Sequence, residues 1–226
     1  MSEKKRKKKP RKDQETPVSP PSLRMMEPMF AGLGHRRPET PLDAAQSLMY
    51  KAWEENDRSR RVNLARKALL LSPDCADAYC LLAEHETRSL DSAIELYRKG
   101  VHAGERAIGM EKFSEYEGHF WGILETRPYM RARAGLAQCL WESGKQQESV
   151  EHYQNMLRLN PNDNQGIRDV LLACLLDLNR NAEASALIRK YEDDGSAQWA
   201  YSEALVGFRM NGNTAESGKL LTEAVK

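Results

Sequence analysis

The grouping that most invites a catalytic reading is His119 with Glu115, Glu117 and Glu125 close by. A general base needs a partner that orients it and a pocket that holds its substrate. Glu115 and His119 stand four residues apart, the spacing of a stabilising pair on a helix surface. The residues therefore predict a surface pair, not a catalytic dyad. The other histidines, His35, His85, His102 and His152, are scattered and form no ligand set. The four cysteines, Cys75, Cys80, Cys139 and Cys174, include no C-x-x-C pair and no zinc-finger spacing. Cys80, Cys139 and Cys174 fall on apolar stretches and read as small buried hydrophobes. No phosphate-binding G-x-x-x-x-G-K-[ST], no G-x-G-x-x-G after a strand and no G-x-S-x-G elbow is present. The expectation is a chain with no catalytic residue, no metal and no cofactor, hence not an enzyme.

A different chemistry is written at the N-terminus. Lys4, Lys5, Arg6, Lys7, Lys8, Lys9, Arg11 and Lys12 make residues 1–12 +7, with Glu3 the one acid; the whole chain is +1, so the remainder is −6. Such a run can contact nucleic acid, the ribosome or an anionic surface through counterion release. In a eukaryote it could serve nuclear import. No aromatic residue interleaves the lysines, so bases have nothing to stack on, and any such contact would be salt-sensitive and indifferent to sequence. The competing reading is a solubilising tail. Residues 1–41 hold most of the ten prolines and few bulky apolar groups, and Pro17, Pro20 and Pro21 bar a continuous helix. This segment is expected to be disordered, because burial would not offset the entropy of ordering it. One short apolar patch, Leu23, Met25, Met26, Met29 and Phe30, could dock on the body or on a partner. No apolar run is long enough for a membrane span or a secretory signal, so the expected location is cytoplasmic.

From residue 42 onward the pattern is amphipathic helix, interrupted at regular intervals. Ala65–Pro73 and Tyr153–Pro161 each close a helix with a proline just past its end. Gly144, Asn179 and Gly212 lie 35 and 33 residues apart, and both residue types tolerate the left-handed backbone that ends helices.

This pattern resembles the tetratricopeptide family, whose repeats of about 34 residues fold as two antiparallel helices, A and B. The best copy is 130–163. Leu136 and Ala137 stand at the helix A positions, Gly144 at the turn, Ser149 at the small position of helix B, Tyr153 at the aromatic one and Pro161 at the end. Weaker copies run over 42–75 (Leu48, Met49, Ala52, Ala65, Ala68, Pro73), 76–107 (Leu82, Ala83, Ala93, Tyr97), 164–197 (Leu171, Leu172, Ala184, Ile188) and from about 198 (Tyr201, Leu205, Leu221, Ala224). Ala65–Tyr79, Gly118–Arg133 and Leu157–Gly166 further resemble a bacterial group of tetratricopeptide proteins related to the suppressor of tumorigenicity 7 family. Its longer members continue with another repeat, so the resemblance implies a last helix without its usual cover. The expected fold is all-α: a tetratricopeptide-like solenoid over 42–226 behind a disordered tail over 1–41.

Residues 108–129 do not fit the period. Phe113, Tyr116 and Phe120 are spaced three and four apart, as on one helix face, with Trp121 beside them. They read either as a packing helix over the neighbouring repeat or as an aromatic ledge that binds a partner.

The groove of such a solenoid is lined mainly by helix A. The register assigns to it Asp43, Gln46, Tyr50 and Trp53, then Asp77 and Glu84, then Arg131, Gln138 and Trp141, then Asp169 and Asp177. That surface is acidic with aromatic anchors, and the expected partner is another protein's peptide or helix carrying basic and apolar side chains. The family's chaperone-binding members use Lys and Asn where this chain has Ala134 and Gln138, which argues against capture of a chaperone tail. The basic tail itself could lie across the groove and compete with partners. The alternative function is a nucleic-acid- or ribosome-associated adaptor acting through that tail.

Overall fold

The computed structural model describes residues 40–225. They form five antiparallel helix hairpins: α1 (Pro41–Glu54) with α2 (Arg58–Leu71), α3 (Ala76–His85) with α4 (Leu90–Ile108), α6 (Arg127–Glu142) with α7 (Gln146–Leu159), α8 (Ile167–Asp177) with α9 (Asn181–Lys190), and α10 (Ala197–Asn211) with α11 (Ala215–Ala224). A short α5 (Met110–Glu115) and two 3-10 turns, Phe120–Gly122 and Leu124–Thr126, join the second hairpin to the third. The helices and their pairing are those of a tetratricopeptide-like solenoid, as the repeat spacing predicts.

Local chemistry starts and stops these helices. Thr40 caps α1 in a reciprocal box with Asp43, ahead of Pro41 at the first helical position. Asp57, Ser89, Ser196 and Thr214 cap α2, α4, α10 and α11 with side-chain oxygens. Asp163 does the same for α8: its two carboxylate oxygens accept from the Ile167 and Arg168 amides at 2.8 and 2.9 Å. Gly144 and Asn179 turn the third and fourth hairpins at φ 82° and 54°, the left-handed backbone expected of them.

The core runs along the stack in two clusters. One, under α1 to α3, holds Met49, Ala65, Ala68 and Leu81. The larger, from α3 to α10, holds Tyr129, Met130, Leu140, Met156 and Leu172. Small residues set the closest crossings. Ser149, fully buried, donates to the Ala137 carbonyl at 2.7 Å, tying α7 to α6 where the family pattern asks for a small residue. Between α4 and α6 a Cβ on Gly104 would stand 2.7 Å from the Tyr129 Cβ, and one on Gly135 would stand 2.2 Å from the Tyr97 ring.

The irregular segment differs from expectation. The 3/4 spacing of Phe113, Tyr116 and Phe120 predicts one helix face, but α5 ends at Glu115 and the chain turns at Gly118, φ 90°. The chain folds back instead. Phe120 becomes wholly buried, with ring centroids 4.7 Å from Phe113 and 5.9 Å from Tyr129. His119 lies in this turn beyond the helix, so it does not form the helical pair with Glu115 that the spacing suggests.

Candidate functional site

The first helices of the five hairpins, α1, α3, α6, α8 and α10, carry the residues that the repeat register assigns to the groove. A cleft of about 500 Å³ lies between α6 and α8. Gln138, Trp141 and Glu142 reach it from α6, Tyr153 from α7, and Val170, Ala173, Cys174 and Asp177 from α8. The helical spacing explains the grouping: 170, 173, 174 and 177 share one face of α8, and 138, 141 and 142 share one face of α6.

The cleft has an apolar floor and an acidic rim. Gln138 donates to Glu142 at 3.1 Å. Among the described residues neither Glu142 nor Asp177 forms an ion pair. Burial pushes the Cys174 thiol up to about 11, and the Asp177 carboxylate adds to that. Burial also pushes the Tyr153 phenol up to about 12, and burial and Glu142 together raise Cys139. These thiols are held protonated and are poor nucleophiles. The local field favours cations and disfavours new anions.

Toward the first hairpin the groove is closed by a different arrangement. Arg131 donates to both carboxylate oxygens of Asp77, at 2.7 and 2.6 Å, and Gln46 donates to the same carboxylate at 2.8 Å. The Arg131 guanidinium lies 5.2 Å from the centre of the Trp53 ring, which leans on Tyr50 at 5.6 Å. The side chains of Arg131 and Asp77 are only 4% and 1% exposed.

The expected site residues therefore divide. Gln138, Trp141 and Asp177 come together in the cleft, while Glu84 is exposed on α3 and Asp169 half-buried near the start of α8. Arg131 and Asp77 are corrected: helix packing turns them inward onto each other, so neither is presented to a partner. Asp43 is the partner of Thr40 in the α1 capping box. Phe120 is corrected likewise, since a fully buried ring cannot form a binding ledge. Phe113, Tyr116 and Trp121 pack partly buried against the core, with Arg127 stacked 5.3 Å from the Trp121 ring. The basic run from Lys4 to Lys12 lies outside the described residues. Glu142, Tyr153, Val170, Ala173 and Cys174 were not assigned to the groove from sequence; the i−3, i−4 and i−7 neighbours of Asp177 carry the signal for the α8 members. A second, apolar cleft of about 370 Å³ lies between α10 and α11, among Tyr201, Leu205, Phe208 and Leu221. Among the described residues no group of three His, Cys, Asp or Glu is placed to hold a metal. No described helix is long and apolar enough to cross a membrane.

Known proteins share both the sequence and the fold. The crystal structure of YrrB, a TPR protein with an unusual peptide-binding site, matches at a TM-score of 0.55 and 18% identity, over 82% of this chain and 83% of that one. The likeness is one of fold. The suppressor of tumorigenicity 7 protein-like chain of Bos taurus is 30% identical over 177 residues, covering 74% of this chain and 32% of the relative. Its Mus musculus counterpart is 31% identical over the same length, covering 31% of that protein. The suppressor of tumorigenicity 7 protein of Rattus norvegicus is 27% identical over 199 residues, 34% of its length. The chain thus spans about a third of the length of these relatives. The family model described as ST7 protein matches residues 38–219, and with that the repeat architecture and the sequence agree: the chain belongs to the ST7 protein family.

Proposed function

We propose that this chain is a non-catalytic scaffold that takes a peptide or helix of a partner protein along the groove, with the Trp141 cleft as its anchor point. The observation that carries the reading is that cleft: an apolar floor of ligand-binding size, closed at its rim by two carboxylates. A half-buried tryptophan beside an apolar pocket is the kind of feature on which interface energy concentrates. The YrrB fold, in a protein that itself has a peptide-binding site, supports the same use of this architecture.

Ala173 is exposed in the cleft, so Ala173→Arg is expected to block it without disturbing the core. Peptides selected from a random display library on the full chain are expected to lose at least about tenfold in affinity for this variant. Equal binding to both proteins would place the peptide site elsewhere.

A second reading rests on the +7 charge of residues 1–12: a nucleic-acid- or ribosome-associated adaptor. Neutralising Lys4, Lys5, Lys7, Lys8 and Lys9 to Gln in the full chain distinguishes it. Capture that disappears with this change, with nuclease or with high salt favours the tail over the groove.

A further inference from the structure

This chain has four tryptophans, and three of them seat an arginine of the chain itself. Arg131 stacks 5.2 Å from the Trp53 ring, Arg127 5.3 Å from Trp121, and Arg168 5.9 Å from Trp199. In two of the three, a carboxylate holds the same guanidinium from the side. Asp77 does so for Arg131, as described above. Asp194 does so for Arg168, accepting at 2.9 Å from Nε and 2.7 Å from Nη2. The arrangement is physically sensible. A guanidinium is planar and weakly hydrated, so an aromatic face takes one side of it while a carboxylate takes its edge in a forked hydrogen bond.

Trp141 is the fourth. Among the described residues no arginine or lysine stacks on it. Yet its cleft holds the other half of the arrangement: Glu142 and Asp177 on the rim, neither in an ion pair, and an apolar floor of Val170 and Ala173 for an alkyl stem. Among the described residues no cationic side chain lines the cleft. Two carboxylates without a counter-charge beside a tryptophan face form a setting whose complement is a cation, and a flat one fits the ring better than a compact ammonium.

We propose that the Trp141 cleft is an arginine-binding pocket: it receives an arginine side chain of the partner polypeptide, the guanidinium stacked on Trp141 and bonded by Asp177 and Glu142. The assignment rests on the groove reading above and narrows it, since it names the residue that the partner must supply.

The test uses the full chain and a defined probe, Nα-acetyl-L-arginine methylamide, against its citrulline counterpart, which has the same shape without the charge. The indole N–H resonances are followed during titration, with Trp141→Phe identifying the Trp141 signal. The expected result is a saturable shift of that signal, with citrulline at least about tenfold weaker. Glu142→Gln combined with Asp177→Asn should abolish the difference; both residues are exposed, so the fold should hold, and an unchanged far-ultraviolet circular dichroism spectrum checks it. An unmoved Trp141 signal, equal binding of citrulline, or full arginine preference in the double variant would overturn the assignment. The two proposals fail separately. Selected peptides that need an open cleft at Ala173 but ignore the two carboxylates keep the groove reading and sink the arginine pocket. Arginine amide bound at Trp141 while selected peptides ignore Ala173→Arg would do the reverse.

Discussion

Replacing Arg131 with Met tests how the first three hairpins are locked together. Arg131 and Asp77 are 54 residues apart in the chain, meet through two hydrogen bonds and are almost fully buried. Removing the guanidinium leaves the Asp77 carboxylate in the interior with the Gln46 amide at 2.8 Å to answer it. Breaking such a buried pair from one side costs about 3–5 kcal/mol. A domain of this kind holds about 5–15 kcal/mol in all, so the loss is a large share of its stability. With a urea m-value of about 2 kcal/mol per molar, the unfolding midpoint is expected to fall by about 2 M. Asp77→Leu alone strands the arginine and is expected to cost a similar amount. The double variant, Asp77→Leu with Arg131→Met, removes both charges and fills the space with apolar groups, a change that is often close to neutral. With each single loss at about 3–5 kcal/mol and the double variant near neutral, the cycle should show a coupling of about 6–10 kcal/mol. Losses that add to within about 0.5 kcal/mol would mean the two residues act independently, and the account of a buried lock would be wrong.

Three further outcomes follow from the packing and the charges. Gly135→Ala would ordinarily stabilise a helix by up to about 1 kcal/mol; here the new methyl meets the buried Tyr97 ring at 2.2 Å. Overpacking of about 1–3 kcal/mol should win, so the midpoint temperature should fall, not rise. Phe120→Ala should cost about 3–5 kcal/mol in urea unfolding, because the ring is wholly buried against Phe113 and Tyr129; a surface ledge would lose almost nothing. His152 is pushed down from 6.5 to about 4 by burial and by the neighbouring Arg133 charge. The unfolded chain therefore takes up a proton below about pH 6.5 that the folded chain refuses until about pH 4. Its contribution to stability is present above pH 6.5 and lost on acidification through that window. Urea midpoints measured at pH 7 and pH 5 should fall less in His152→Gln than in the unmutated chain, and equal falls would refute the assignment.

Much of the architecture was legible along the chain, for local reasons. A helix face repeats every three to four residues, and Gly144, Asn179 and Gly212 each sit where a hairpin must reverse. The period of these turns marks the last three of the five hairpins without any knowledge of contacts. The irregular segment shows where this reasoning ends. Phe113, Tyr116 and Phe120 have helical spacing, but Gly109 and Gly118, at φ 78° and 90°, break the helix on either side. The rings still meet, through a fold-back that spacing cannot distinguish from a helix face.

The cleft was legible in part. Gln138, Trp141 and Asp177 were assigned to the groove from register, and the structure places all three in one cleft. Arg131 and Asp77 were assigned by the same register and are sealed from solvent. By itself the sequence determined the helices of the repeats and the order of the hairpins, because these depend on residues within one repeat. Tertiary structure alone decided which of the charges assigned to the groove are buried in pairs within the protein and which stay exposed. That choice depends on how closely hairpins pack: α4 meets α6 at Gly104 and Gly135, drawing the second and third hairpins together where Asp77 holds Arg131, while α6 and α8 stand apart far enough to leave Trp141 facing open space between two carboxylates.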